Sequence, residues 1–539
     1  MKTRGGKNIA NLIDGLSYKF DGFMFNLAQS CRVSPHRFKS LLVLLLIFAL
    51  VLLSASQITD ADIQKDALVN LRFAFNLAHH GALSVSESSP YLASNAREPI
   101  PNLVTGLHLR ILELFQPELA FSDLAQGRGS QLLKLVNVYW VVLGLVATSL
   151  LAKALLNSFM LEVMAIALVG YFFFAVPMIV DNLYTELQAS VILLWSSWFL
   201  LRASTRRRWT DALLVGIGFG LLSLTKAIMF YVCLLVMALL LLRWLWVSLR
   251  SGFRFRSGRA SALAMLAGLA LALLPWTLRN RVELGTFQLT QRGGRVMYAR
   301  AIKNRMENGE IPGVIYFWGP SFYQHISRRL GFGAEPRDYQ AGGRYRRINR
   351  YGSNFQRSDY EAMVAGRPQD VVSYHRKVGA EVNRITYQAA TQGVSDPNRY
   401  AEKQVGAKAR RMIVGDPTRH LLMTPLFAWR GIWSWPNEGA MFKTSGLYVL
   451  VKDLLSLASY VSLFIMFLIG VLRRRARDLA ITVLPVGMLL AYALLTHNIP
   501  RYSSPAIPLM ILSMVVLLER VASPRRPTGD VDLDGQGLA

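Results

Sequence analysis

The sequence predicts an all-α polytopic membrane protein with about ten transmembrane helices. Three observations carry that prediction. Of 539 residues, 53% are hydrophobic and only 17% are charged, whereas a soluble chain carries about 25% charged residues. The mean hydropathy is +0.31. The apolar residues also gather in discrete runs, and a hydrocarbon core of about 30 Å needs roughly 20 apolar residues per helix. Such runs lie near 40–57, 134–155, 159–180, 187–203, 211–226, 227–248, 261–279, 447–472, 479–497 and 504–521. This composition excludes disordered, collagen-like and disulfide-scaffold classes. Cys31 sits in a basic arm and Cys233 inside an apolar run, so no disulfide is expected.

Basic residues in the short connections set the orientation. Arg202, Arg206, Arg207 and Arg208 fall in one connection; Arg250, Arg254, Arg256 and Arg259 in a second; Arg473, Arg474, Arg475 and Arg477 in a third. The short connections on the other side hold only Lys226 and Arg501. Both termini are therefore expected in the cytoplasm. The expected organisation is a cytoplasmic arm over 1–39, then a transmembrane module over 40–279 that includes an outer loop at 58–133. A basic outer (periplasmic) domain of mixed structure follows over 280–446, then C-terminal membrane helices over 447–521 and a polar, disordered tail over 522–539. Ser54-Ala55-Ser56 imitates a signal-peptide cleavage site, but 39 residues precede the apolar run, too long an n-region for cleavage.

The net charge is +27, and the segment 280–446 holds 26 Lys and Arg against 13 Asp and Glu. Long loops are exempt from the orientation rule, so this charge needs another account. It suits adhesion to anionic headgroups, or attraction of an anionic lipid-linked or polysaccharide substrate.

In the first outer loop, Asp66 to His80 reads as one helix ended by Gly81, with Asp60, Asp62 and Asp66 near the membrane surface. Acidic residues in a basic surround are candidate general bases. Spacing alone also fits simple capping, since Asp66 opens a helix where a carboxylate suits the N-terminal dipole. Arg72 lies two turns along. Asn95 to Asn102 makes a rigid extended turn, and Leu103 to Phe115 then places Val104, Leu107, Ile111 and Leu114 on one face. That run is too short and polar to span, and reads as an interfacial helix. His79-His80 has the wrong spacing for two metal ligands on one helix face, and Gly5-Gly6 and Gly293-Gly294 lack the context of a nucleotide loop.

Several motifs recur in order along the chain: Asp66-x5-Arg72-Phe73-Ala74-x-Asn76-Leu77-x3-Gly81, Arg97-Glu98-Pro99, Asn182-Leu183-Tyr184-Thr185-Glu186, Leu224-Thr225-Lys226, Pro275-Trp276-Thr277-Leu278-Arg279-Asn280, and His497-Asn498-Ile499-Pro500-Arg501-Tyr502 followed by Pro505 and Pro508. With these the chain resembles the polyprenyl-phosphate-dependent glycosyltransferases of the GT-C superfamily. That group includes the lipid A aminoarabinose transferases, protein O-mannosyltransferases and arabinofuranosyltransferases. Members often carry paired acids in the first loop, whereas here Lys65 precedes Asp66.

The resemblance implies a GT-C-like fold in a bacterial cytoplasmic membrane, with the active site on the outer, periplasmic face. It implies transfer of a sugar from a polyprenyl phosphate to a hydroxyl of a glycan, lipid or protein, with Asp66 as general base. Glu186, Arg72 and Glu98 would support the base or orient the acceptor. Arg501 first, then Lys226, Arg279, His497 and Tyr502, would hold the donor phosphate, and a divalent ion (Mg or Mn) is compatible as cofactor. Within enzymes the rival is an O-antigen ligase or polymerase using a pyrophosphate-linked glycan; outside them, a lipid or sugar transporter. Transporters place polar residues near the bilayer midplane, whereas these cluster at outer span ends. An outer location also argues against nucleic acid as a partner.

Overall fold

The computed structural model describes residues 15–27, 34–117, 119–206, 208–250, 256–348, 353–432 and 446–522. Cys31, Arg207, Arg254 and the tail beyond 522 lie outside them. Among the described residues the chain is helical throughout, without a strand. In chain order the helices are α1 (15–27), α2 (Pro35–Ala55), α3 (Lys65–His80), α4 (Pro99–Glu113), α5 (Phe121–Ala125), α6 (Gly127–Lys134), α7 (Val136–Leu155), α8 (Phe159–Ala175) and α9 (Pro177–Val180). Next come α10 (Glu186–Arg206), α11 (Trp209–Thr225), α12 (Met229–Arg250), α13 (Arg256–Leu284), α14 (Gly293–Lys303), α15 (Ile311–Trp318), α16 (Ser321–Arg329), α17 (Ser353–Val364), α18 (Tyr374–Thr391), α19 (Pro397–Gly415) and α20 (Pro417–Ile432). The last are α21 (Gly446–Leu472), α22 (Ala476–Leu495), α23 (Pro500–Ser503) and α24 (Ile507–Ala522).

Among the described residues seven helical segments are long and apolar enough to cross a membrane: α2, α6–α7, α12, α13, α21, α22 and α23–α24. The remaining three apolar runs also fold as helices. α8 and α11 are shorter, at 17 residues each, and α10 buries Glu186, Gln188, Ser190, Ser196 and Ser197 along its length. Glycine lets α11 and α13 touch backbone to backbone. A Cβ on Gly216 would lie 2.0 Å from the Met265 carbonyl oxygen, and one on Gly268 2.2 Å from that of Leu213. Such small-residue contacts are how helices pack where no water drives them together.

At the end of the bundle remote from α3, buried carboxylates are matched. Arg202 Nε lies 2.8 Å from Asp211, Arg520 Nη1 donates to Asp478 at 2.8 Å, and Glu519 accepts from the Asn157 and Ser158 backbone amides that open α8.

The first outer loop folds as the amphipathic pair expected. Ala67, Leu71, Ala74 and Ala78 of α3 are buried on one face, and α3 packs on α4. Gly106 permits the approach, since its Cβ would lie 3.2 Å from the Ala74 carbonyl oxygen. The outer flank of this pair stays apolar: Leu103, Leu107, Ile111, Leu114 and Phe115 are all exposed. Beneath it, Lys134 is buried and donates to the Thr59 and Ala61 carbonyls and to Asp181, which also accepts from the Thr59 amide and hydroxyl. The loop is thereby clasped to the turn before α10.

Of the segment 280–446, expected as a mixed domain, the described residues up to 432 carry helices α14–α20. Its core gathers Tyr298, Ile302, Val314, Val378, Val405 and Phe427. Arg300 is buried there without a carboxylate partner among the described residues. Its guanidinium donates to Asn304 Oδ1, to Thr424 Oγ1 and to the carbonyls of His420 and Leu494, and lies 3.8 Å from the Phe427 ring centre. Burial pulls its pKa down to about 9. Because Leu494 belongs to α22, this cation fastens helices α14–α20 to the membrane bundle.

Candidate active site

The chain enters α3 through Lys65, whose φ of 55° is the left-handed region that non-glycine residues rarely adopt. That turn sets Asp66 at the start of the helix. Asn70 donates to the Leu183 carbonyl at 2.6 Å, fixing α3 to the segment before α10. Gly81 closes the helix at φ 63°, and the Asn76 amide then donates to the Ser84 and Ser86 carbonyls. A second non-glycine left-handed residue, Asn498 at φ 27°, precedes Arg501 by three positions.

Asp66 is the meeting point of three arginines. Arg97 Nη2 donates to Oδ1 at 3.0 Å, Arg292 Nη2 to the same oxygen at 3.2 Å, and Arg501 Nη2 to Oδ2 at 2.9 Å. Arg501 Nε reaches Glu186 Oε1 at 3.4 Å, and that oxygen accepts from Lys226 Nζ at 3.0 Å. The Arg501 guanidinium lies 4.4 Å from the Tyr184 ring centre. Four cations thus surround two carboxylates. Glu186 and Arg97 are buried, at 4% and 6% side-chain exposure, whereas Asp66 and Arg292 open to solvent at 36% and 45%. One side of the cluster is therefore a fixed base and the other a mouth.

The Pro275-Trp276-x-x-Arg279-Asn280 motif has a different task from the one its charge suggests. Trp276 Nε1 donates to the Leu289 carbonyl, and the amides of Asn280 and Asn95 both donate to that of Gln288. These bonds pin the segment that carries Arg292 over Asp66. Arg279 itself donates to the Ser94 and Leu83 carbonyls and pairs with Glu283. It is a clamp on the first loop, and among the described residues it forms no hydrogen bond or ion pair with Asp66 or Glu186.

Neither a protein-family model nor a curated protein sequence matches the chain. Among solved structures it is similar to the oligosaccharyltransferase of Archaeoglobus fulgidus, in its apo form and in complex with Zn and sulfate. Both comparisons give 12% identity over 88% of this chain and 50% of that one, with TM-scores of 0.41 and 0.39. The chain spans about half the length of those proteins.

Other expected site residues lie at varying distance from the cluster. Arg72 pairs with Glu87 and sits over the Phe121 ring, both within the loop. Glu98 stands before the first turn of α4, next to Arg97 in sequence, and its carbonyl accepts from Asn102. Tyr502 stacks on Tyr492 at 5.1 Å, and His497 meets Tyr502 edge-on at 5.7 Å while its carbonyl accepts from Arg430. Asp60 and Asp62 are exposed and form no pair with Asp66. Sequence reasoning missed Arg97 and Arg292 as parts of the site. Arg97 had a signal, its place beside Glu98-Pro99 at a helix start.

Burial alone would push the Asp66 carboxyl up. Arg292, Arg97 and Arg501 outweigh it and hold the group well below the usual carboxylate range. Its stabilising effect is therefore complete above the ordinary carboxylate pKa and is lost only as pH falls through the depressed value. Among the described residues no three His, Cys, Asp or Glu side chains converge. A carboxylate already ringed by three guanidinium groups does not fit a divalent cation. The arrangement suits an anion instead, since Arg501 and Arg292 present forked donors matched to phosphate oxygens.

Proposed function

We propose that the protein is an integral membrane glycosyltransferase of the GT-C type. In this reading it moves a sugar from a polyprenyl-phosphate donor to an acceptor hydroxyl on the outer face of the cytoplasmic membrane. The supporting observation is the Asp66 cluster, a solvent-facing carboxylate bonded to three arginines and backed by a buried Glu186–Lys226 pair. Its surplus of two positive charges suits a donor phosphate that gains charge as it departs.

With three guanidinium groups stabilising its anion, Asp66 is a weak base. A donor phosphate entering by the open mouth competes for Arg501 and Arg292. Arg97, buried beside Asp66, stays in place as a positioning residue. Relieved of two partners, Asp66 recovers basicity and takes the acceptor proton as the acceptor oxygen bonds to the anomeric carbon. The bond from that carbon to the phosphate oxygen breaks, and its electron pair leaves on the phosphate. Glu186 lies behind Arg501 rather than at the mouth, and so orients Arg501 rather than the acceptor.

The test is to incubate the purified protein in nanodiscs with a panel of polyprenyl-phosphate sugars and an acceptor extract, reading free polyprenyl phosphate by mass spectrometry. Release from one donor class is expected. Release only from pyrophosphate-linked glycans would replace this reading with a ligase or polymerase.

The same assay yields a pH prediction. The profile of kcat/KM reports the free enzyme and that of kcat the bound complex. With Asp66 depressed in the free cluster, kcat/KM is expected to show no acid limb from this group above about pH 4. The kcat profile should show its acid limb at higher pH, because the phosphate draws arginines away. Coincident acid limbs in the two profiles would contradict the exchange of partners.

A further inference from the structure

The outer domain contains a groove of about 1240 Å³ between α18, α19 and the turn after α14. That exceeds the roughly 300–1,000 Å³ typical of a site for one small molecule, as a groove for several residues of a chain would. Two of its three carboxylates are paired with cations, and the third, Asp416, is exposed and accepts from the Arg419 backbone amide. Glu381 accepts from Arg384 through two nitrogens and from Lys408, while Glu307 pairs with Arg347. Arg419 spends its donors on the Asn304 and Met306 carbonyls and Asn308 Oδ1, all neutral. Arg305 and Arg411 also line the groove, both exposed and without a carboxylate partner among the described residues.

The rest of the lining is rich in side-chain amides, including Gln392 and Gln404. An amide offers both donor and acceptor, which is what a sugar hydroxyl uses and what a bare phosphate does not. Tyr400 is the one aromatic residue lining the groove among the described residues. Single-stranded nucleic acid would call for a row of such stacking platforms. The groove also connects to the Asp66 cluster through rigid structure. α14 begins next to Arg292 and has 11 residues, so at about 1.5 Å per residue its far end, where Asn304 forms the groove rim, lies roughly 16 Å away.

We propose that this groove holds an anionic oligosaccharide, the acceptor chain, with Arg305 and Arg411 reading its acidic groups. The proposal rests on the glycosyltransferase reading for the word acceptor, but its test does not. The full-length protein in nanodiscs of zwitterionic lipid is titrated with tetragalacturonate, with neutral maltotetraose, with an oligo-dT and with phosphatidylglycerol vesicles. Tetragalacturonate is expected to bind saturably. The exposed double substitution Arg305→Glu and Arg411→Glu should weaken it by about tenfold or more.

Equal binding by maltotetraose would overturn the anionic part, and equal competition by oligo-dT or the vesicles would overturn the glycan. Unchanged affinity in the double variant would remove the groove altogether. Donor affinity, measured separately as polyprenyl-phosphate binding to the same variant, should stay at the wild-type value. Failure of the groove is thus told apart from failure of the Asp66 reading.

Discussion

Asp66→Asn is expected to insert and fold normally and to lose sugar transfer by roughly a hundred- to ten-thousand-fold, the usual contribution of a positioned general base. Asparagine keeps the shape and one acceptor oxygen for the surrounding arginines, but it cannot take the acceptor proton. It also removes the anion that competes with a donor phosphate for Arg501 and Arg292. Donor binding should therefore hold or tighten while kcat collapses, a split that separates lost chemistry from lost structure. The measurement is polyprenyl phosphate released per enzyme at saturating donor, beside donor affinity in the same nanodiscs. Turnover at the wild-type rate would remove Asp66 as the base.

Arg501→Ala acts on the other partner. Arg501 touches Asp66 through one nitrogen and Glu186 through another, so its loss leaves Glu186 buried with Lys226 alone. A hydrogen bond to a charged group contributes about 1.5–3 kcal/mol, so donor affinity should fall by roughly ten- to a hundredfold or more. Acceptor affinity should change little. Arg501→Lys should recover only part of the loss, since a point charge cannot bridge two carboxylates as a guanidinium fork does. Unchanged donor affinity in the alanine variant would exclude Arg501 from the phosphate site.

Much of this architecture is written locally in the chain. Each apolar run became a helix because burial of a backbone in lipid leaves little alternative, and α4 was legible from its one-sided leucines. That Asp66, Glu186, Lys226 and Arg501 would gather was also readable, since all four stand at helix ends on one expected side. Arg292 was not. It is one basic residue among the 26 of its segment, and what singles it out is the tether from Trp276, Asn280 and Asn95 to the chain just before it. The contacts of Arg279 were equally hidden: in the sequence it is a cation at a span end, and the carbonyls of Leu83 and Ser94 that it binds come from a loop nearly two hundred residues earlier.

The apolar flank of α4 bears on the height at which the proposed reaction takes place. With Leu103, Leu107, Ile111, Leu114 and Phe115 exposed, such a helix settles into the boundary between headgroups and acyl chains. Asp66 rides on α3, which is packed tightly to α4, so the depth at which α4 floats fixes the altitude of the carboxylate above the hydrocarbon. A lipid-borne donor has its own altitude, set by its tail. The two match in a bilayer of suitable thickness, and hydrophobic mismatch tilts or sinks the surrounding helices. In the proposed reading membrane thickness then tunes activity, an influence that a short-chain detergent removes.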